Sequence, residues 1–305
     1  MNRKPDKRMK LVRGIAWVVP ALLILIAIYY FSPVFVDDGK KQTIGGKEQS
    51  GSPPEKTSGI DAGKQIPQRE SAAIAELQVV IIIDDIGFNL SAVRELLKID
   101  APVAFAVLPH APHSVAAAEM LHGAGREILL HLPMEPHDSG KDPGSGALYR
   151  RMGEAEIRRQ MEEDIAAVPH VAGVNNHMGS AFMEEEQKLA IVFQELKNRD
   201  LFFIDSRTTP HSRAEELAIR TGVRFAARKV FIDNDQNHDI TLRNLLGILE
   251  RNHNSRVVMI GHPYPSTILA LQEAVLMLRA KGVAILPPSA MVEIIDRAET
   301  DNKKD

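Results

Sequence analysis

The sequence predicts an α/β fold, a parallel barrel of seven or eight βα units, on three observations. Short apolar runs rich in Val, Ile and Phe alternate with segments of helical period. Their ends recur at a near-constant spacing, and the polar residues best suited to chemistry gather at those ends. Runs apolar on both faces belong to sheets covered on both sides, and strand–helix alternation makes such sheets parallel.

The runs end near residues 84, 108, 131, 177, 205, 232, 260 and 286, spaced 23–28 residues apart except for one gap of 46. That gap holds HDSGKDPGSGALYRR, a Gly/Pro-rich loop placed to line or cover a site. Between the runs, NLSAVRELLKI sets Leu90, Val93 and Leu97 on one helical face, and EIRRQMEEDIAAV does the same with Ile157, Met161 and Ile165. QKLAIVFQELKNR, LRNLLGILERN and STILALQEAVLMLRAKG continue the pattern. So many βα units fit a closed barrel better than an open doubly wound sheet.

The barrel domain is expected over residues 77–297, with a polar tail at 298–305. Residues 1–13 carry six basic groups against Asp6 alone. Residues 14–36 hold no charge and suffice to cross a hydrocarbon core of about 30 Å, with Trp17, Tyr29 and Tyr30 near the ends. The stretch that follows lacks small residues at cleavage-site spacing, which favours an uncleaved signal anchor over a cleaved signal peptide. Retention of the basic side in the cytoplasm puts the chain, single-pass, in the cytoplasmic (inner) membrane, with the folded domain on the periplasmic or extracytoplasmic side. Residues 37–76, rich in Gly, Lys, Gln, Ser and Pro, read as a flexible linker of about 35 Å root-mean-square span.

The 305 residues include no cysteine, which excludes a disulfide scaffold, an iron–sulfur protein and a thiolate zinc site. The net charge of −3 averages the basic start with an acidic body. Such a body argues against nucleic acid as a partner, since that affinity rests on phosphate neutralisation. An aromatic content of 5% argues against a long stacking platform for extended sugar chains.

In a parallel barrel all carboxyl ends of the strands open on one rim. Asp84 and Asp85 end the first run; His131 and Glu135 follow the third; Asn176 and His177 end the fourth. Asp205 and Arg207 end the fifth, Asp233 the sixth and His262 the seventh. Singly, each has a structural alternative: the aspartates as helix caps, the histidines as hydrogen-bonded core residues, Asp205 as a partner of Arg207. Together they form the nitrogen and oxygen donor set of a divalent ion held by two histidines and a carboxylate. With a carboxylate as base and a histidine as acid, that is equipment for amide or ester hydrolysis.

VVIIIDDIG, ILLHLPMEP, GVNNHMGS, FFIDSRT and MIGHPYP, in this order, resemble the divergent polysaccharide deacetylase family, an offshoot of the polysaccharide deacetylase (carbohydrate esterase family 4) superfamily. The resemblance covers about residues 77–297 and implies a distorted (β/α)7 barrel. It also implies removal of acetyl groups from N-acetylated or O-acetylated envelope polysaccharide, by water activated on a divalent metal, zinc foremost. On it, Asp84 matches the catalytic base, Asp85 the metal-binding aspartate, His131 the first histidine of the metal motif and His262 the general acid. Glu135 stands where the second histidine is usual, and GVNNHMGS replaces the usual Arg-Pro-Pro-Tyr segment, so His177 becomes the substitute ligand. Glu135, Asn176, Asp205 and Arg207 remain candidates for additional ligation or substrate binding. The expected partners are a polysaccharide or peptidoglycan-type glycan and, through residues 14–36, the lipid bilayer.

Three other readings compete. A non-catalytic envelope binding or scaffolding domain would keep the barrel and lose turnover. A receiver domain shares the acidic pair but is half as long and needs a lysine where histidines stand. A glycosidase uses paired carboxylates without the histidines.

Overall fold

The computed structural model describes residues 77–250 and 255–293. The basic segment 1–13, the anchor 14–36, the linker 37–76 and the tail 298–305 expected from the sequence lie outside the described residues. No described helix is long and apolar enough to cross a membrane.

All eight apolar runs fold as strands: β1 (Gln78–Ile86), β2 (Ala104–Val107), β3 (Ile128–Met134), β4 (Val171–Met178), β5 (Phe202–Asp205), β6 (Phe225–Phe231), β7 (Arg256–Gly261) and β8 (Ala284–Ile285). Seven of them form the ring. β1 to β7 pair in sequence order, all parallel, and β7 closes on β1. β8 is not a stave of that ring. It pairs with Gln78 and Val79 at the start of β1, while β2 pairs with β1 from Ile82 onward. One long strand thus offers one edge to two short ones in turn, which is why eight runs yield a seven-stranded barrel.

Among the described residues seven helices cover the barrel: α1 (Leu90–Leu97), α2 (Ser114–Gly123), α3 (Glu154–Ala167), α4 (Glu186–Asn198), α5 (Ala214–Thr221), α6 (His238–Leu246) and α7 (Pro265–Ala280). The helical period marks five of them. α2 is built on alanine, whose small side chains give little periodic contrast, and α5 buries one leucine, Leu217, between two alanines, Ala214 and Ala218. The segment from Leu242 differs from expectation. α6 starts earlier, at an Asn237 cap whose side chain accepts from Asp239 N and Ile240 N, and gives way at Gly247 to a 3₁₀ turn. Asn89 caps α1 through Ser91 N and Ala92 N, which frees Asp85 from that duty.

The strands carry two cores. Ile81, Ile83, Phe105, Leu130, Val174, Phe203 and Met259 face outward into a large shell shared with the helices. Val80, Ile82, Ala104, Ala106, Leu129, Phe202, Ile204, Val258 and Ile260 fill the lumen, plugged by Met291 and Val292. Gly173 makes room there, since a Cβ at that position would lie 2.2 Å from the Phe202 ring.

Candidate metal centre

Strand alternation sends residues i, i+2 and i+4 to one face. Along β1, Asp84 follows Val80 and Ile82 into the lumen. By the same rule Asp85 should turn outward with Ile81 and Ile83. It does not, because the β1–β2 register slips between Ile83 and Ile86, so Asp84 and Asp85 together oppose one residue, Ala106. Asp85 takes a left-handed φ of 56° at this bulge. Left-handed φ at a non-glycine also occurs just past β2 and β5, at His110 and Arg207, at the end of β4, at Met178, and ahead of β4 and β5, at His170 and Asp200. Such backbone conformations are costly, and the one at Asp85 turns its carboxylate into the lumen.

Three side chains from three strands meet above the apolar lumen. Asp85 Oδ1 lies 3.2 Å from His131 Nε2 and 3.1 Å from His177 Nδ1. The two nitrogens are 3.1 Å apart. Tetrahedral ligands about 2.0–2.1 Å from an ion sit roughly 3.4 Å from one another, close to this triangle. Asp85 Oδ1 is buried and has no hydrogen-bond partner, an orphaned oxygen that a cation would satisfy. His131 Nδ1 donates to Asn175 Oδ1 at 2.8 Å, leaving Nε2 with its lone pair toward the triangle. Asn175 Nδ2 in turn donates to Asp84 Oδ1 at 2.7 Å. An outer partner that fixes the histidine tautomer is the usual support of a metal ligand. The residues present therefore fit a divalent ion.

His262 stands across from this triangle, its Nε2 3.9 Å from Asp85 Oδ2. The buried Asp233 holds it: Oδ1 is 3.0 Å from His262 Nδ1, and Oδ2 accepts from His262 N and Thr267 Oγ1. The ring is flanked by Phe231 and Tyr264, with centroids 6.0 and 5.4 Å away.

The electrostatics agree with a cation-seeking cluster. Burial pushes the Asp84 carboxyl up, against the pull of His131, His262 and Asn175. Burial would raise Asp85 too, but the close imidazoles of His131 and His177 outweigh it and hold that carboxyl far below its usual range. His131, which burial alone would depress, is pushed up to about 9 by Asp84 and Asp85. Burial likewise opposes a charge on His262, yet Asp233 raises its pKa. Two carboxylates that favour a proton on His131 mark where positive charge is demanded, a demand that a divalent ion would meet in place of the proton on Nε2.

The other four sequence candidates are engaged elsewhere. Glu135 Oε2 accepts from Arg150 N at 2.6 Å and Oε1 pairs with Arg150 Nη2 at 3.2 Å, facing the 137–151 loop. Asn176 lies on the strand face opposite His177 and ties β4 to β5, accepting from Ser206 N and donating to Met178 O and Thr208 Oγ1. Asp205 shares its face with Phe203 and accepts from Arg207 N. The Arg207 guanidinium is 3.7 Å from Glu215. Alternation, by contrast, delivers Asn175 to the lumen in phase with His177, a signal legible in NNH. Arg228, in phase with Ala226, points the same way and donates to Ser206 O and Arg207 O. Nothing in RFAARKVF singles out that arginine in advance.

A cleft of about 550 Å³ opens beside the triangle, lined by Asp85, His177, Phe88, His110, Asp142 and Pro143. The last two come from the Gly/Pro-rich loop of the long gap. Phe88 stands at the mouth, 62% exposed.

Residues 81–292 match the profile of the divergent polysaccharide deacetylase family, and the chain belongs to that family. The chain is similar to the uncharacterized protein YibQ of Escherichia coli K12, 35% identical over 207 residues, covering 67% of this chain and 64% of that protein. It thus spans just under two thirds of that relative's length. An uncharacterized protein of Haemophilus influenzae is 32% identical over 204 residues, covering 66% of this chain and 72% of its own. In fold, the chain is similar to an uncharacterized protein of Agrobacterium tumefaciens C58 of known crystal structure. The TM-score is 0.67 at 21% identity, over 71% of this chain and 89% of that one.

Proposed function

We propose that this protein is a metal-dependent hydrolase that removes acetyl groups from an N-acetylated or O-acetylated envelope polysaccharide. The observation that carries the reading is the triangle of Asp85, His131 and His177, with its orphaned oxygen, between a buried carboxyl and an aspartate-held histidine. Asp85, His131 and His177 hold the ion, for which zinc suits the nitrogen and oxygen donors best. When bound, the ion supplies Lewis acidity, polarising the acetyl carbonyl and easing deprotonation of a water.

The chain's own groups move the protons. Asp84 keeps Oδ2 free while Asn175 occupies Oδ1, so Oδ2 takes the proton of the attacking water. As the carbon–nitrogen or carbon–oxygen bond breaks, His262 Nε2 gives its proton to the leaving amine or hydroxyl, and acetate departs. Asp233 fixes the His262 ring and favours its protonated state before that step. Phe88 at the cleft mouth offers an apolar face for a sugar ring. The uncharged stretch at 14–36 keeps the domain on the extracytoplasmic side of the cytoplasmic membrane, and the 37–76 linker lets it reach nearby glycan.

The test is acetate release from acetylated chitooligosaccharides, peptidoglycan fragments and O-acetylated glycans by the metal-loaded full chain. Release that stops on chelation and returns with zinc supports the reading. Stoichiometric metal with no acetate from any of them would leave a binding or scaffolding domain on the same fold.

A further inference from the structure

His110 lies three residues past the end of β2, in a left-handed conformation, and lines the same cleft as Asp85 and His177. Its Nε2 lies 2.9 Å from Oδ1 of Asp164, an α3 residue with no solvent exposure. Gln160 Nε2 donates to the same oxygen at 3.0 Å, and Asp164 Oδ2 is buried without a partner. Gly146 of the 137–151 loop closes over the pair. A Cβ there would sit 2.3 Å from Asp164 Oδ1 and 3.1 Å from His110 Cδ2. Three elements of the cleft wall therefore meet at one buried acid–histidine pair that the acetyl-transfer chemistry does not use.

Such a pair is a poor stability device. Burying a carboxyl with one oxygen unsatisfied costs free energy, so a contact of this kind is weak evidence for a stabilising role. What the pair does fix is the histidine. An ionised Asp164 accepts from Nε2–H and leaves Nδ1 with its lone pair, whereas a protonated Asp164 donates to Nε2 and puts the ring hydrogen on Nδ1. In either state Asp164, whose carboxyl burial raises to about 7 against the pull of Gln160 and His110, occupies Nε2. With Nε2 on Asp164 and Cδ2 against Gly146, the remaining ring edge, Nδ1 and Cε1, is the one left to the cleft. His110 is 36% exposed there.

We infer that His110 is a specificity-determining residue whose Nδ1, aimed into the cleft because Asp164 holds Nε2, hydrogen-bonds to a hydroxyl of the sugar bound there, a group that donates or accepts as the ring requires. The inference rests on the glycan reading above and adds a contact to it. Its test uses two measurements on the full chain. Long-range ¹H–¹⁵N correlation spectra should show the His110 Nδ1 resonance moving on addition of penta-N-acetylchitopentaose. His110→Ala should raise KM about tenfold, the worth of one hydrogen bond, and leave kcat within about twofold. His110→Gln, whose amide both donates and accepts, should recover much of the loss. Asp164→Asn, which keeps a polar group against Nε2, should raise KM less than His110→Ala does. A His110 Nδ1 resonance indifferent to the sugar, or an unchanged KM in His110→Ala, overturns the inference. If the wild type neither binds nor deacetylates any acetylated glycan, the glycan reading fails, and the inference falls with it. A wild type that turns over acetylated glycan with the same KM as His110→Ala sinks only the inference.

Discussion

The two faces of the same strands make unlike demands. Outward, Ile81, Ile83, Phe105, Leu130 and Phe203 stay apolar along the strands and bury against helices. Inward, the residues are apolar at the lower level, and on four of the strands the next position changes character. Val80 and Ile82 lead to Asp84, Leu129 to His131, Gly173 to Asn175 and His177, and Val258 and Ile260 to His262. The apolar lower lumen gives the polar level a water-poor floor, where charges act strongly on one another. The shell holds the fold and the upper lumen holds the residues of the proposed chemistry, so changes on the two faces should separate stability from activity.

The largest effect expected is from Asp84→Asn. Acetate release should drop by about 10³–10⁴-fold, the contribution of a general base, with metal content unchanged. Retained full activity would remove Asp84 from its role. On the other face, Phe203→Ala removes a fully buried ring packed against Phe193 and Phe225. It should cost about 3–5 kcal/mol in denaturant melts while the folded fraction keeps its kcat.

Smaller effects should sharpen the contrast within the lumen. Asp233 raises the His262 pKa, so Asp233→Asn should lower it. The acid then loses its proton at lower pH, and the alkaline limb of the rate profile should move toward acid, with about a tenfold loss of kcat. A shift the other way would contradict the assignment of His262 as acid. Asn175→Ala frees His131 Nδ1 and should weaken metal affinity by about 10–100-fold, read by competition with a chelator.

The strand count and the order of motifs were legible because β-branched apolar runs and their spacing depend on local sequence. Closure at seven was not, since the place of β8 is decided by how far β1 outruns β2. The site residues divide by phase. His131, His177 and His262 obey alternation and could be assigned to the lumen, and so could Asn175. Asn176 and Asp205 fall on the opposite phase and bind the rim together instead. Asp85 is the instructive exception. It reaches the site only by a register slip and a left-handed residue, which no two-residue period reveals. Glu135 follows β3 closely enough to look like a ligand, yet Arg150 from the distant end of the long loop claims its carboxylate.

The most direct test of the central claim is metal content of the purified full chain by elemental analysis, with Asp85→Ala, His131→Ala and His177→Ala measured beside it. A single tightly held divalent ion in the wild type, lost or strongly depleted in each variant, is the result this arrangement predicts. Undiminished occupancy in all three variants would contradict it.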